Sequence, residues 1–233
     1  MIKESPFTMN FAKIGASDSE LQSVIEGMER YSFNEDRGFG FSIESERETT
    51  LSAYLVERNR VKLREYDSAS NSVVETDNYQ TSLIPFEMDF ERNLLYVFSN
   101  QSDLTKAISR IGEVSRWSFP IDSVTFDLSA LYKKLDRSGT MTRLTSVRVR
   151  NFRTESGFGG VFTVKSGFKR NISQFVEQEN GDITVIRGVI ATPANEGKMA
   201  FYRSGGIRLY NRVEQEDVFW GAIEDSVNSA IIE

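Results

Sequence analysis

Twice along this chain the spacing of apolar residues changes from about 3.6, the repeat of an amphipathic helix, to two, the repeat of a half-buried strand. Leu21, Val24, Ile25 and Met28 fall at i, i+3, i+4 and i+7, behind Ser17 and Glu20 in the spacing of a capping box. From Gly38 the period is two, with Phe39, Phe41 and Ile43 on one side. Leu128, Leu131, Tyr132 and Leu135, with Asp127 as N-cap, repeat the helical stripe, and Arg143 to Phe152 returns to period two. A chain carrying both periods must cover one face of a sheet with its helices. The pattern therefore predicts an α+β fold, a mostly antiparallel sheet with helices packed on one face.

The same reading places further strands at 7–14, 51–57, 61–66, 83–90 and 94–98, and then at 124–126, 161–165, 183–191, 199–203 and 207–210. Further helices are expected from Ser102 (Leu104, Ile108, Ile111), around Ile172, Phe175 and Val176, and from Glu214 (Phe219, Ile223, Val227). Ser68 to Gln80 reads as a polar loop. Phe219 and Trp220 are helix neighbours about 100° apart, which puts either one of them at an interface or both on a broad buried face.

Both halves thus run strand, helix, strands, helix. This order resembles the internal duplication of the TATA-box-binding protein and implies a saddle-like antiparallel sheet built from two copies of one plan. The resemblance covers most of the chain and is one of element order, without a shared residue motif. It divides the chain into residues 1–116 and 117–233, packed together as one compact unit.

Composition removes several chemistries. There is no cysteine and no histidine. Disulfides, thiolate nucleophiles, zinc–sulfur sites, Ser-His-Asp hydrolysis and histidine-based metal or acid–base catalysis are excluded. No cofactor motif is found. The first residues lack the apolar core of a signal peptide and no segment approaches the ~20 apolar residues of a membrane span, so a cytoplasmic protein without membrane contact is expected.

Charge is unevenly spread. The chain carries a net −6, yet Met141 to Arg170 holds Arg143, Arg148, Arg150, Arg153, Lys165, Lys169 and Arg170 against the single acid Glu155, a local +6. Strand alternation puts Arg148, Arg150 and Phe152 on one face and Val147, Val149 and Asn151 on the other. With the valines in the core, guanidinium forks and an aromatic share an exposed surface, a combination suited to phosphates and unpaired bases. The alternative is cross-strand pairing of these arginines with Asp and Glu. The glycine-rich run Ser156 to Gly160 matches neither a phosphate loop nor a dinucleotide fingerprint and reads as a hairpin turn. Arg203 to Arg208 reads as a second basic hairpin that extends the patch.

The expectation is a non-catalytic binding protein with nucleic acid as ligand, through Arg143, Arg148, Arg150, Phe152, Arg153, Lys165, Lys169, Arg170, Arg203 and Arg208. Two alternatives stay open. One is a protein-interaction subunit of a larger assembly, or a homodimer. The other is a magnesium-dependent nuclease or phosphoesterase using Glu87, Asp89 and Glu91, which on a strand would lie in one row.

Overall fold

The computed structural model describes residues 5–15, 18–47, 49–153, 159–165, 182–193 and 195–232. Among them the fold is α+β, with antiparallel strand pairs and four helices. In chain order the elements are β1 (Thr8–Ile14), α1 (Asp18–Arg30), β2 (Phe39–Glu46), β3 (Thr50–Asp67), β4 (Ser72–Asp89), β5 (Leu94–Val97) and α2 (Gln101–Val114). Then follow β6 (Ile121–Ser123), β7 (Thr125–Phe126), α3 (Leu128–Arg137), β8 (Met141–Arg153), β9 (Gly159–Lys165), β10 (Asp182–Ala191), β11 (Glu196–Tyr202), β12 (Gly206–Leu209), α4 (Glu216–Asn228) and β13 (Ile231–Ile232). The expected capping residue Ser17 and the helix expected around Ile172 lie outside the described residues. No described helix is long and apolar enough to cross a membrane.

The chain forms two compact units. One contains residues 14–97 and 102–121; the other contains residues 1–13, 98–101 and 122–233. The first strand pairs antiparallel with β12 in the second unit, Thr8 opposite Arg208 and Met9 opposite Ile207.

In the first unit β2, β3, β4 and β5 pair in succession. Phe41, Leu51, Leu55, Phe86, Met88 and Leu95 are buried there with Val24, Ile25 and Met28 of α1 and Leu104, Ala107 and Ile111 of α2. Glu57 is 7% exposed and would be an isolated buried charge, but Lys106 and Arg110 of α2 approach its carboxylate at 3.6 and 3.3 Å. Arg110 also lies over the Phe39 ring, 3.9 Å from its centroid.

The loop expected at Ser68 to Gln80 is not a loop. Strands β3 and β4 pair over their whole lengths, from Thr50 opposite Asp89 to Asp67 opposite Ser72, without a register shift. Residues 72–81 are all exposed, and so are most of those opposite, so the outer part of this hairpin is an arm with both faces in solvent. Cross-strand ion pairs run along it: Arg60 with Asp77, and Lys62 and Arg64 with Glu75 at 3.4 and 2.8 Å. Arg58 lies 4.0 Å from the Tyr79 ring centroid. Exposed charge pairs of this kind contribute little each. Since nothing buried holds the arm to its unit, replacing residues 60–79 by an Asn-Gly turn should shift the denaturation free energy by less than about 1 kcal/mol; a loss of several kcal/mol would show that the arm supports the core.

In the second unit the strand order is β1, β12, β11, β10, β8, β9. The inward face carries Met9, Phe11, Val147, Val149, Ile186, Ile190, Met199, Phe201, Ile207 and Leu209, all at most 2% exposed. Helix α3 packs against β8, β10 and α4. It is started by Asp127, whose side chain accepts the Ala130 N–H at 2.9 Å, as the N-cap spacing predicts. Phe219 and Trp220 of α4 are both buried, so the broad buried face is the one realised. Phe11 is central, with ring centroids 5.4 Å from Phe126 and 6.1 Å from Trp220.

The hairpin expected from Arg203 to Arg208 joins β11 to β12, with Tyr202 opposite Gly206. Gly205 has φ +75°, and a Cβ there would stand 2.6 Å from the Val124 carbonyl oxygen. Both the left-handed backbone and the close approach demand glycine. Gly205→Ala should cost more than about 1 kcal/mol in chemical denaturation; an unchanged midpoint would contradict this close packing.

Candidate nucleic-acid interface

Strand β8 sits between β9 and β10 and decides where its arginines point. Val147 and Val149 are 0% exposed, so the residues between and after them, Arg148 and Arg150, face outward. Both are exposed, and neither makes an ion pair among the described residues. The carboxylate opposite Arg150 in register is Asp182, and it takes the Arg203 guanidinium at 2.8 Å.

Three register shifts interrupt the pairing of β8 with β10, and a threonine is the extra residue at each: Thr184, Thr145 and Thr142. Each hydroxyl donates to a carbonyl across the pair, Thr184 Oγ1 to Arg148 O at 3.2 Å, Thr145 Oγ1 to Arg187 O at 3.0 Å and Thr142 Oγ1 to Val189 O at 3.4 Å. A bulge removes a ladder partner and re-aims the neighbouring side chains; a short hydroxyl supplies the missing donor. The regular segment left between the first two shifts pairs Val185 with Arg148 and Arg187 with Ser146, which brings Arg187 onto the face of Arg148 and Arg150.

The outward rows of the neighbouring strands continue this face. Register places Thr163 and Lys165 beside Arg148 and Ser146 on one side, and Tyr202, Ala200 and Arg208 beyond β10 on the other. Tyr202 and Tyr210 lean together until their hydroxyls are 3.3 Å apart, and Arg208 lies 5.1 Å from the Tyr210 ring centroid. A groove of about 400 Å3 is floored by Val185 and lined by Arg148, Arg150, Arg187 and Tyr202, with Arg203 and Ser204 of the hairpin turn on one side. None of its lining residues is acidic.

The two phenols titrate apart. Burial alone would push Tyr210 up, but its hydrogen bonds with Tyr202 and Arg187, and the charges of Arg187 and Arg208, outweigh burial and hold it below the usual tyrosine value. Tyr202 goes the other way: burial raises it, and so do its hydrogen bond to Tyr210 and the charge that forms there.

Of the residues proposed from sequence, Arg148, Arg150, Lys165, Arg203 and Arg208 are exposed, and register brings Arg148, Arg150, Lys165 and Arg208 to one sheet face. Arg203 belongs to the turn at its edge, its charge taken by Asp182. Arg143 is exposed but lies beyond the Thr145 shift, opposite Val189, and does not line the groove. Lys169 and Arg170 lie outside the described residues, as do the side chains of Phe152 and Arg153. The β8–β9 pairing shifts register between Val149 and Phe152. Arg187, Tyr202 and Tyr210 are not legible as a group in the sequence, because Arg187 is on β10, Tyr202 is the last residue of β11 and Tyr210 follows β12.

The carboxylate row is broken. Glu91 lies in the turn after β4 and not on the strand. Asp89 is 3% exposed, accepts the Arg92 N–H at 2.9 Å and meets its guanidinium at 2.8 Å, while Glu87 accepts from Ser52 Oγ at 3.1 Å. Among the described residues no group of three acids is arranged to hold a metal ion.

Ultraviolet titration of the folded chain should find one phenol ionising below the ordinary tyrosine range. Tyr210→Phe should remove that step and Arg187→Gln should move it upward; a step indifferent to Arg187 would show that the guanidinium does not act on it.

No family model matches the chain, and no curated protein matches it. Among solved structures, the chain is similar to one described as the crystal structure of the di-domain ARO/CYC StfQ from the steffimycin biosynthetic pathway, at 11% identity over 95% of this chain and 94% of that one. The TM-score is 0.21, too low for the likeness to bear on fold or function.

Proposed function

We propose that this is a non-catalytic binding protein whose ligand is nucleic acid, held on the outward face of β12, β11, β10, β8 and β9. One observation carries the reading: Arg148 and Arg150 stand exposed side by side over buried Val147 and Val149, and make no ion pair among the described residues. Guanidinium forks match phosphate oxygens, and Tyr202 and Tyr210 offer rings on which bases stack. With a net charge of −6 the chain as a whole repels a polyanion, so attraction is local to this face. A cytoplasmic setting belongs to the same reading and rests on the cysteine-free composition.

The reading takes the two halves as copies of one plan, the saddle-like arrangement of the TATA-box-binding protein. In its support, β1-α1-β2-β3-β4-β5-α2 and β7-α3-β8-β9-β10-β11-β12-α4 both run strand, helix, antiparallel strands, helix. The second set departs from plain succession where β8 lies between β9 and β10.

A second reading, a subunit of a larger assembly, is favoured by the β3–β4 arm. Tyr66, Val73, Tyr79 and Leu83 are each more than half exposed on it, and exposed large side chains of this kind concentrate at protein interfaces. Nothing in the placement of Glu87, Asp89 and Glu91 favours the nuclease.

Fluorescence anisotropy with single- and double-stranded DNA and RNA at about 50 mM salt tests the main reading. Binding should weaken with salt, and the double variant Arg148→Ala, Arg150→Ala should flatten the log–log salt slope by about 1.4 on single strands. No binding to any of the four probes would overturn it.

A further inference from the structure

The groove on this face is more than a patch of positive charge. Arg148 and Arg150 are two residues apart on one side of β8, which sets their Cα atoms about 7 Å apart, and Arg187 comes in from the adjacent strand. Arg148, Arg150 and Arg187, together with Arg203 whose charge Asp182 takes, line a space of about 400 Å3, at the small end of the range for ligand cavities. On one side the Arg203–Gly205 turn rises, tied to β10 by the Arg203 N–H to Thr184 O at 3.0 Å and to β7 by the Phe126 N–H to Arg203 O at 2.9 Å. Thr125 of β7 and Ser204 complete this wall.

A phosphodiester inside a strand carries one negative charge and continues in both directions. Three arginines in one walled groove exceed what a single diester needs. A terminal phosphomonoester carries about two charges and three acceptor oxygens at neutral pH. It also has only one direction in which its chain must leave. Two bidentate forks and a third cation suit such a group, and Tyr202 in the same lining offers a ring to the first base.

Resting on the nucleic-acid reading above, we infer that the groove is an end-binding site, which takes the phosphomonoester at a terminus of a single-stranded nucleic acid between Arg148, Arg150 and Arg187, with the terminal base against Tyr202. The remainder of the strand then runs over the open part of the face, past Lys198 and Arg208, which are exposed on the outward rows of β11 and β12.

The test uses the full chain and internally labelled oligonucleotides of one sequence that carry a 5′-phosphate, a 3′-phosphate or neither. One phosphorylated form should bind about tenfold more tightly than the unphosphorylated one, the effect of an added charge-assisted contact, and its identity tells which end is seated. Arg150→Gln should abolish the preference, and Arg150→Lys, which keeps the charge without the fork, should leave only part of it. Lys198→Gln, outside the groove, should weaken all three oligonucleotides and preserve their ratio. Arg150 is exposed, so its variants leave the core intact, which circular dichroism will verify. Equal affinity for all three oligonucleotides would overturn end recognition and leave the broader reading standing. Failure of every oligonucleotide to bind would overturn the broader reading and this inference with it.

Discussion

The burial of Val147 and Val149 is the constraint on which the candidate site depends. Side chains alternate along a strand, so two valines seated at 0% exposure in the core leave Arg148 and Arg150 one direction only. Each fully buried valine contributes roughly 1.5 to 3 kcal/mol. Turning the strand over would forfeit that and place two guanidinium groups in an apolar layer, at a cost of several kcal/mol per unpaired ion. The orientation of the arginines is therefore enforced by the core and not by any partner on the surface.

Electrostatics explains why this surface remains available. An acidic chain has carboxylates for many of its arginines, and in the first unit Arg58, Arg60, Arg64, Arg92 and Arg110 are paired in this way. Glu57 serves Lys106 and Arg110, Asp89 serves Arg92, and the arm pairs Asp77 and Glu75 with the cations opposite. On the outward face of the second unit the carboxylate in register, Asp182, is drawn aside by Arg203 of the neighbouring turn. Arg187 is turned instead toward neutral partners, the Ser146 hydroxyl at 3.4 Å and Tyr210. The three threonine bulges fix this geometry, since each relieves a carbonyl that the shifted ladder cannot satisfy.

Elements with a buried side were legible and those without one were not. The stripes of α1, α2, α3 and α4 put Val24, Leu104, Leu131 and Ile223 in the core, because a repeat of about 3.6 residues is imposed by one-sided burial. Residues 72–80 have no buried side, so no period marks them, and their strand is visible only through cross-strand partners such as Asp77 opposite Lys62. Phe219 and Trp220 show the converse: period alone left two outcomes, and the packing of Trp220 near Phe11 chose between them. Arg187 lies on β10, Tyr202 on β11 and Tyr210 just past the end of β12, and the register that sets Arg187 beside Arg148 includes shifts at Thr184 and Thr145 that no local pattern announces.

The sequence by itself determined the α+β class, the helical stripes, the core-facing valines of β8 and the exposure of Arg148 and Arg150, because each follows from a periodicity within about ten consecutive residues. It also determined that neither cysteine nor histidine takes part in any chemistry here. Only the tertiary structure decided that β1 belongs with the second unit, that the supposed loop is a paired arm, and that Arg187 and two tyrosines complete the basic face. Those outcomes depend on which strands lie side by side and in what register, and pairing between residues distant in sequence is set by the packing of the whole sheet.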